Sequence, residues 1–336
     1  MTLSALSQEL LPEIENELKQ SISHPLIVNS GLSEMLTYHL GWTGEGAGPE
    51  ASGKRIRPLL TLLSTEIAEG DWRSALPAAA SVELIHNFSL IHDDIQDGSQ
   101  SRRGRKTVWA QWGQSHAINA GDLMFTLAFA SLDRLKNAFP ADMVLNAQTI
   151  LHETCIALTK GQFLDMSFER AQKVSLDNYW TMINGKTAAL LAASTQLGAL
   201  CAGVDIEKQA IYYKFGRFLG LAFQVWDDWL GIWGNVARTG KSTCSDLVSG
   251  KKTYPIVFGL TRQGKFAKRW NQGPVKIDEV GQIMELLSED GAEVATLNMA
   301  RELTEEAMNT LNLLASERPA FHALLELCTG LLNRQN

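Results

Sequence analysis

The sequence predicts an all-α protein. Apolar residues recur at three- and four-residue spacing through most of the chain, and no stretch alternates as a strand would. The polar connections between helical runs are too short to separate independent folding units. These observations predict one helical domain, residues 1–336, of about ten or more helices.

The elements follow in order. A first amphipathic helix is expected from Ser4 to Ser23, and a shorter one from Leu32 to Leu40. Five glycines and Pro49 between Gly41 and Gly53 mark a loop. Helix resumes from Lys54 to Ala68, breaks at Asp71-Trp72, and returns as a long run ending near Asp97. Further helices are expected over His116–Lys136, Asp142–Phe168, Leu176–Cys201 and Ile206–Trp233. A polar loop from Gly234 to Thr253 precedes a short helix near Pro255 and three more helices.

Composition narrows the classes. With 45% hydrophobic and 20% charged residues, the chain is an ordinary globular protein with ample core. A net charge of -7 argues against a nucleic-acid-binding surface. Four scattered cysteines without a CxxC pair disfavour a disulfide framework or a zinc site and fit a reducing cytoplasm. The acidic N-terminus does not read as a signal peptide. The Ala-rich run from Thr187 to Val204 is long enough to cross a bilayer, but Ser, Thr, Gln and Gly interrupt it, so a buried helix is the better reading.

Two acidic clusters stand out. Asp93, Asp94 and Asp97 end a helical run, and a loop with Arg102, Arg103, Arg105 and Lys106 follows. Residues four apart share a helix face, so Asp93 and Asp97 point the same way, a pattern suited to a hard divalent cation carrying a phosphorylated ligand. Alone, the stretch reads equally well as a solvated acidic helix end beside a basic loop. The second pair, Asp227 and Asp228, lies in GLAFQVWDDWLGIWG among aromatic and aliphatic residues. Burying adjacent carboxylates there calls for a cation, either a metal or Lys and Arg from another segment. Lys54 and Arg57 open one helix, Lys186 lies in GKTA, and Lys241, Lys251 and Lys252 lie on the second polar loop. One anion-binding set is built around metals and the other around cations alone, which implies two phosphorylated substrates.

Taken in order, GKRIRP, ELIHNFSLIHDDIQDGSQSRRGRKT, GKTA, FQVWDD and SGKKTYP resemble the motifs of the trans-isoprenyl diphosphate synthases, over roughly residues 50–260. The resemblance implies an isoprenoid-synthase bundle around a central cavity, a homodimer, and head-to-tail condensation of isopentenyl diphosphate with an allylic diphosphate. It implies that Asp93 and Asp97 bind two Mg2+ ions and Asp227 a third, with Asp94 and Asp228 in support. Arg102, Lys186, Thr187, Gln224, Lys241 and Lys251 resemble the allylic diphosphate contacts. Gly53, Lys54, Arg57, His86 and Arg103 resemble the isopentenyl diphosphate site. Asp93, Asp97, Arg102, Lys186, Asp227 and Lys241 would thus carry catalysis, with the released diphosphate as the proton acceptor.

One position departs from the pattern: the second motif ends in Gly231 where the family commonly has a third Asp. Phe88, five positions before Asp93, resembles the aromatic floor that stops elongation, and Ser89 beside it is small. Together they imply a fifteen- or twenty-carbon product, with the Gly231 variant favouring twenty. The alternative for Phe88 is ordinary core. A class I terpene cyclase would not need Lys54, Arg57, His86 and Arg103. A silent partner subunit would have lost aspartates or cations. A di-iron bundle would need two Glu-x-x-His motifs, and Glu83 to His86 is the only one.

Overall fold

A computed structural model of the chain describes residues 2–171, 173–234 and 245–332. Their regular structure is helical apart from a ribbon of two short strands, Ser101–Arg102 (β1) paired antiparallel with Arg105–Lys106 (β2). The all-α expectation is met. The backbone divides into two compact units: Met1–Glu153 with Ala193–Tyr212 and Ser316–Leu324, and Thr154–Ala192 with Tyr213–Ala315 and Leu325–Asn336.

In the first unit, α1 (Leu3–Ile22) buries Leu6, Leu10, Ile14 and Leu18, a four-residue repeat that forms one apolar stripe. After α2 (Gly31–His39) and a single turn, α3 (Pro49–Ser52), α4 begins at Ile56 and runs to Ile67. It starts two residues later than expected because Arg55 holds a left-handed φ of 49°. Helix α5 (Leu76–Gln96) opens on Pro77 and packs along α7 (Gln114–Leu132). Small buried residues, Ala78 to Ala80 on α5 and Ala117, Ala120 and Ala128 on α7, are suited to close packing. At Gly121 a methyl group would lie 2.2 Å from the His92 ring, so a larger residue would displace that ring. A five-residue helix, α6 (Val108–Trp112), precedes α7, and a 3-10 turn over Asp133–Asn137 follows it. The expected end at Lys136 is thus a change of helix type.

α8 runs from Ala141 to Arg170. α9 (Leu176–Ile183) starts from a Ser175–Asn178 capping box. The expected Leu176–Cys201 helix is interrupted: residues Asn184–Ala188, the NGKTA segment, form a π turn before α10 (Ala189–Cys201). Glycines allow it, since a Cβ at Gly161 would stand 2.1 Å from the Lys186 amide nitrogen. A single π turn re-aims the side chains it carries, a feature frequent at functional positions. Residues 188–200 are buried except Gln196, as expected for an interior helix. Among the described residues no helix is long and apolar enough to cross a membrane.

The second unit continues with α11 (Ile206–Trp233, from Tyr213 onward), α12 (Ser245–Ser249), α13 (Tyr254–Thr261), α14 (Lys265–Trp270), α15 (Val280–Glu289) and α16 (Ala292–Asn312). Ile232, Leu247, Ile256, Phe266, Ile283 and Leu287 form its core. The chain closes with α17 (Pro319–Leu332), so four helices, not three, follow α13.

Candidate active site

Three aspartates crowd the last turn of α5, which Asp97 caps and Gly98 ends at φ 63°. No basic residue occupies that turn, and the free carbonyls of a helix C-terminus add further negative potential. Asp94 is buried and grips Arg102 through both carboxylate oxygens, accepting from Nε at 3.0 Å and Nη2 at 2.8 Å. Burial raises its pKa, an effect partly offset by Arg102. Asp93 is half-buried and Asp97 exposed. This all-oxygen donor set with excess negative charge fits a hard divalent cation. Among the described residues no three carboxylate, imidazole or thiol groups form a complete metal cage. That also fits magnesium, which takes one or two carboxylates and fills its sphere with water and phosphate oxygens.

The cation-rich set of this unit gathers around the loop before α4. Gly53 has φ 80°, and a Cβ there would stand 2.6 Å from the Arg103 guanidinium carbon. Arg103 donates from Nη1 to the carbonyls of Ala51 (3.0 Å) and Ser52 (2.9 Å). Gly53→Ala should therefore destabilise the fold by about 1–3 kcal/mol and displace Arg103, read as a lower urea midpoint at constant slope. An unchanged midpoint would show that the loop adapts. Arg57 carries a buried Nε without a hydrogen-bond partner, and burial lowers its pKa. Lys54 is exposed. His86 is held neutral well below the usual histidine range, by burial and then by Arg57, Arg103 and Arg102.

His39, at the end of α2, has a buried Nε2 without a hydrogen-bond partner, and its pKa is pushed down from 6.5 to about 3. Burial is the main cause, followed by Arg102, Arg103, Arg55 and Arg105. The unfolded chain takes up this proton below pH 6.5 and the folded chain does not. The stability it contributes is present above that pH and is lost as pH falls toward 3. Melting temperature should drop on acidification from about pH 7 to 5, and less steeply in His39→Gln. Equal slopes would remove His39 from the effect.

Two arginines of the motifs are structural. Arg55 is 3% exposed, bonding Glu15, Glu83 and the Leu40 carbonyl. Arg105 staples the glycine loop by donating to the carbonyls of Tyr38, Thr43 and Glu45.

In the second unit, Asp227 is half-buried and Asp228 only 4% exposed. A cation is expected to meet both, and the donors described at Asp228 are neutral groups. Its partners are the Tyr179 hydroxyl at 2.7 Å, the Tyr254 backbone N–H at 2.8 Å and Gln224 Nε2 at 2.8 Å. Burial raises its pKa to about 7 despite these donors, with Asp246 adding to the rise. Thr187 donates to Gln224 Oε1 at 2.7 Å, and Lys186 is ion-paired with Asp165. Lys251 is half-buried at the start of the segment leading to α13. Its neighbour Lys252 is buried, donates to the Gly250 carbonyl and lies over the Trp270 ring. Lys241 lies outside the described residues.

Gly231 sits one helical turn after Asp227 on α11. A Cβ there would stand 2.7 Å from Asp246 Oδ2. The space that the family's third aspartate would enter is thus taken by a carboxylate from α12.

Phe88 is half-buried, not part of the sealed core, and meets the Phe125 and His92 rings edge-on, each at 5.0 Å. Phe125 meets Phe129 at 5.1 Å, extending the aromatic row down α7. Ser89 bonds back to the His86 carbonyl at 2.7 Å.

Tyr179, Asp165, Asp246 and His39 escaped the sequence reading. Each is a single polar residue in an amphipathic run, and only tertiary proximity distinguishes it.

Helical units bearing aspartate pairs beside cationic turns define the isoprenoid-synthase class of all-α folds. The Polyprenyl synthetase family matches residues 48–287. The chain is 38% identical over 312 residues to a (2E,6E)-farnesyl diphosphate synthase of Mycobacterium tuberculosis, covering 90% of this chain and 86% of that one. It is 36% identical to a geranylgeranyl diphosphate synthase of Methanosarcina mazei, over 85% of this chain and 87% of that one. A crystal structure of geranylgeranyl pyrophosphate synthetase from Pyrococcus horikoshii superposes with a TM-score of 0.90 at 31% identity, over 99% of this chain and 98% of that one. The chain belongs to the polyprenyl synthetase family, the trans-isoprenyl diphosphate synthases.

Proposed function

We propose that this short-chain prenyltransferase condenses isopentenyl diphosphate head-to-tail with allylic diphosphates and releases twenty-carbon geranylgeranyl diphosphate. The observation that carries the reading is the end of α5, where Asp93 and Asp97 add two carboxylates to a cation-poor helix terminus. By family resemblance Asp93, Asp97 and Asp227 would hold three magnesium ions, which would supply positive charge beside the diphosphate. Arg102, fixed by Asp94, together with Lys186, Thr187, Gln224, Lys241 and Lys251 orients that diphosphate. Gly53, Lys54, Arg57, His86 and Arg103 hold isopentenyl diphosphate, whose double bond attacks the allylic cation. Burial and the Arg57, Arg103 and Arg102 charges lower the His86 pKa, so it enters this site as a hydrogen-bonding group before substrate arrives.

Phe88 is the floor in this reading, backed by Phe125. The row of three phenylalanines also favours a second reading, an earlier stop at fifteen carbons. A product assay with magnesium, isopentenyl diphosphate and five-, ten- or fifteen-carbon allylic starters decides between them by mass spectrometry. A fifteen-carbon product would select the second reading, a much longer one would overturn the Phe88 assignment, and hydrocarbon from an allylic diphosphate alone would overturn condensation. The reading includes a homodimer. Leu145, Ile156 and Phe163 are 61%, 69% and 67% exposed and fall within about 20° of one face of α8, an apolar stripe suited to a second copy. Light scattering at the monomer mass would remove that part.

A further inference from the structure

Asp228 is not needed as a metal ligand in the reading above, yet its buried carboxylate accepts three hydrogen bonds. Its Oδ2 accepts from the Tyr179 hydroxyl on α9 at 2.7 Å and from the Tyr254 backbone N–H at the start of α13 at 2.8 Å. Its Oδ1 accepts from Gln224 Nε2, one turn earlier on α11, at 2.8 Å. Gln224 is oriented by this bond, because its Oε1 receives the Thr187 hydroxyl at 2.7 Å. One buried carboxyl group therefore joins three elements. One connection runs through Gln224 to the π turn that carries Lys186 and Thr187. The other fixes the chain three residues beyond Lys251.

All the donors are neutral, and the geometry leaves little room for another role. Two donors on Oδ2 and one on Oδ1 use most of the lone pairs a carboxylate offers. A hydrogen-bonded network of this kind holds one arrangement of the groups attached to it. Within the diphosphate assignment of Thr187, Gln224 and Lys251, on which the inference rests, that arrangement is what a bound diphosphate meets. We propose that Asp228 is a positioning residue that locks the π turn, Gln224 and the Lys251–Tyr254 segment into a single diphosphate-binding arrangement, while magnesium binding falls to Asp227.

The test uses the full chain, with Asp228→Asn and Tyr179→Phe as the two variants. Asparagine places an NH2 opposite donors, whereas phenylalanine removes one donor and keeps the ring packing. Asp228→Asn should raise KM for the allylic diphosphate about tenfold, and Tyr179→Phe about threefold. KM for isopentenyl diphosphate and the half-saturating magnesium concentration should each stay within about twofold. Calorimetric binding of inorganic diphosphate in saturating magnesium should weaken by the same factors. A rise in half-saturating magnesium with unchanged diphosphate affinity would overturn the proposal in favour of a metal ligand. A lowered melting temperature with both affinities unchanged would reduce Asp228 to a structural role. If Asp228→Asn does not fold, Tyr179→Phe decides alone, and unchanged diphosphate affinity in it overturns the proposal. Failure of the unaltered chain to bind any diphosphate would instead defeat the functional reading itself.

Discussion

Asp93→Ala lowers turnover by about a thousandfold or more and leaves helix content intact. The reaction separates a diphosphate from an allylic cation, so the barrier depends on charge held beside the departing oxygens. Losing one preorganised electrostatic partner of such a centre typically costs about 10²–10³ in rate. Losing the group that anchors a metal costs at least as much. The fold does not depend on Asp93 in the same way. Asp93 is only half-buried, at a helix end that also carries Asp94 and Asp97. Asp94 beside it is the opposite case. Buried and clasped by Arg102, it should destabilise the fold more when truncated, because it leaves a cavity and strands a guanidinium that is one third exposed. The check is product formation alongside circular dichroism. Near-normal activity in Asp93→Ala would remove that residue from the metal site.

The contrast between neighbours shows where sequence reading works and where it stops. Helices were legible because the apolar period of α1 or α5 repeats over many residues, and summed periodicity outweighs local irregularity. The π turn at Asn184–Ala188 was not, since a one-residue change in winding leaves the apolar pattern intact. Among the site residues, the aspartates and the Gly53–Arg103 pairing partners stood in recognisable motifs. Their division of labour did not. GKRIRP contains Arg55 and Arg57 two residues apart, and nothing in the string says that Arg55 is tied to Glu15 and Glu83. The adjacent Asp227 and Asp228 look interchangeable in sequence. The resemblance assigns them different roles, and a physical difference appears where Tyr179 and the Tyr254 amide, both distant in sequence, converge on Asp228.

Restoring the family pattern at the end of the second motif should damage the protein. By motif logic alone, Gly231→Asp supplies a missing carboxylate and should be neutral or helpful. The geometry predicts the reverse, because the new Cβ would stand 2.7 Å from Asp246 Oδ2, closer than real side chains approach. Relief by rotation is limited, since the added carboxylate then packs against the one already there. Two unit charges about 4 Å apart repel by about 4 kcal/mol at an effective dielectric near 20. If rotation of the Asp246 side chain does not clear the space, α12 has to move, and the Asp246 carbonyl that accepts the Lys251 N–H at 3.1 Å moves away from that lysine. A fall in kcat/KM of about a hundredfold follows from a loss of some 3 kcal/mol along this route. The double variant Gly231→Asp with Asp246→Ala removes both the clash and the repulsion. It should recover at least about tenfold over the single variant, since contacting residues couple by about 0.5–3 kcal/mol. Wild-type activity in Gly231→Asp, or a double variant no better than the single one, would show that the Asp246 carboxylate does not hold the place the glycine leaves open.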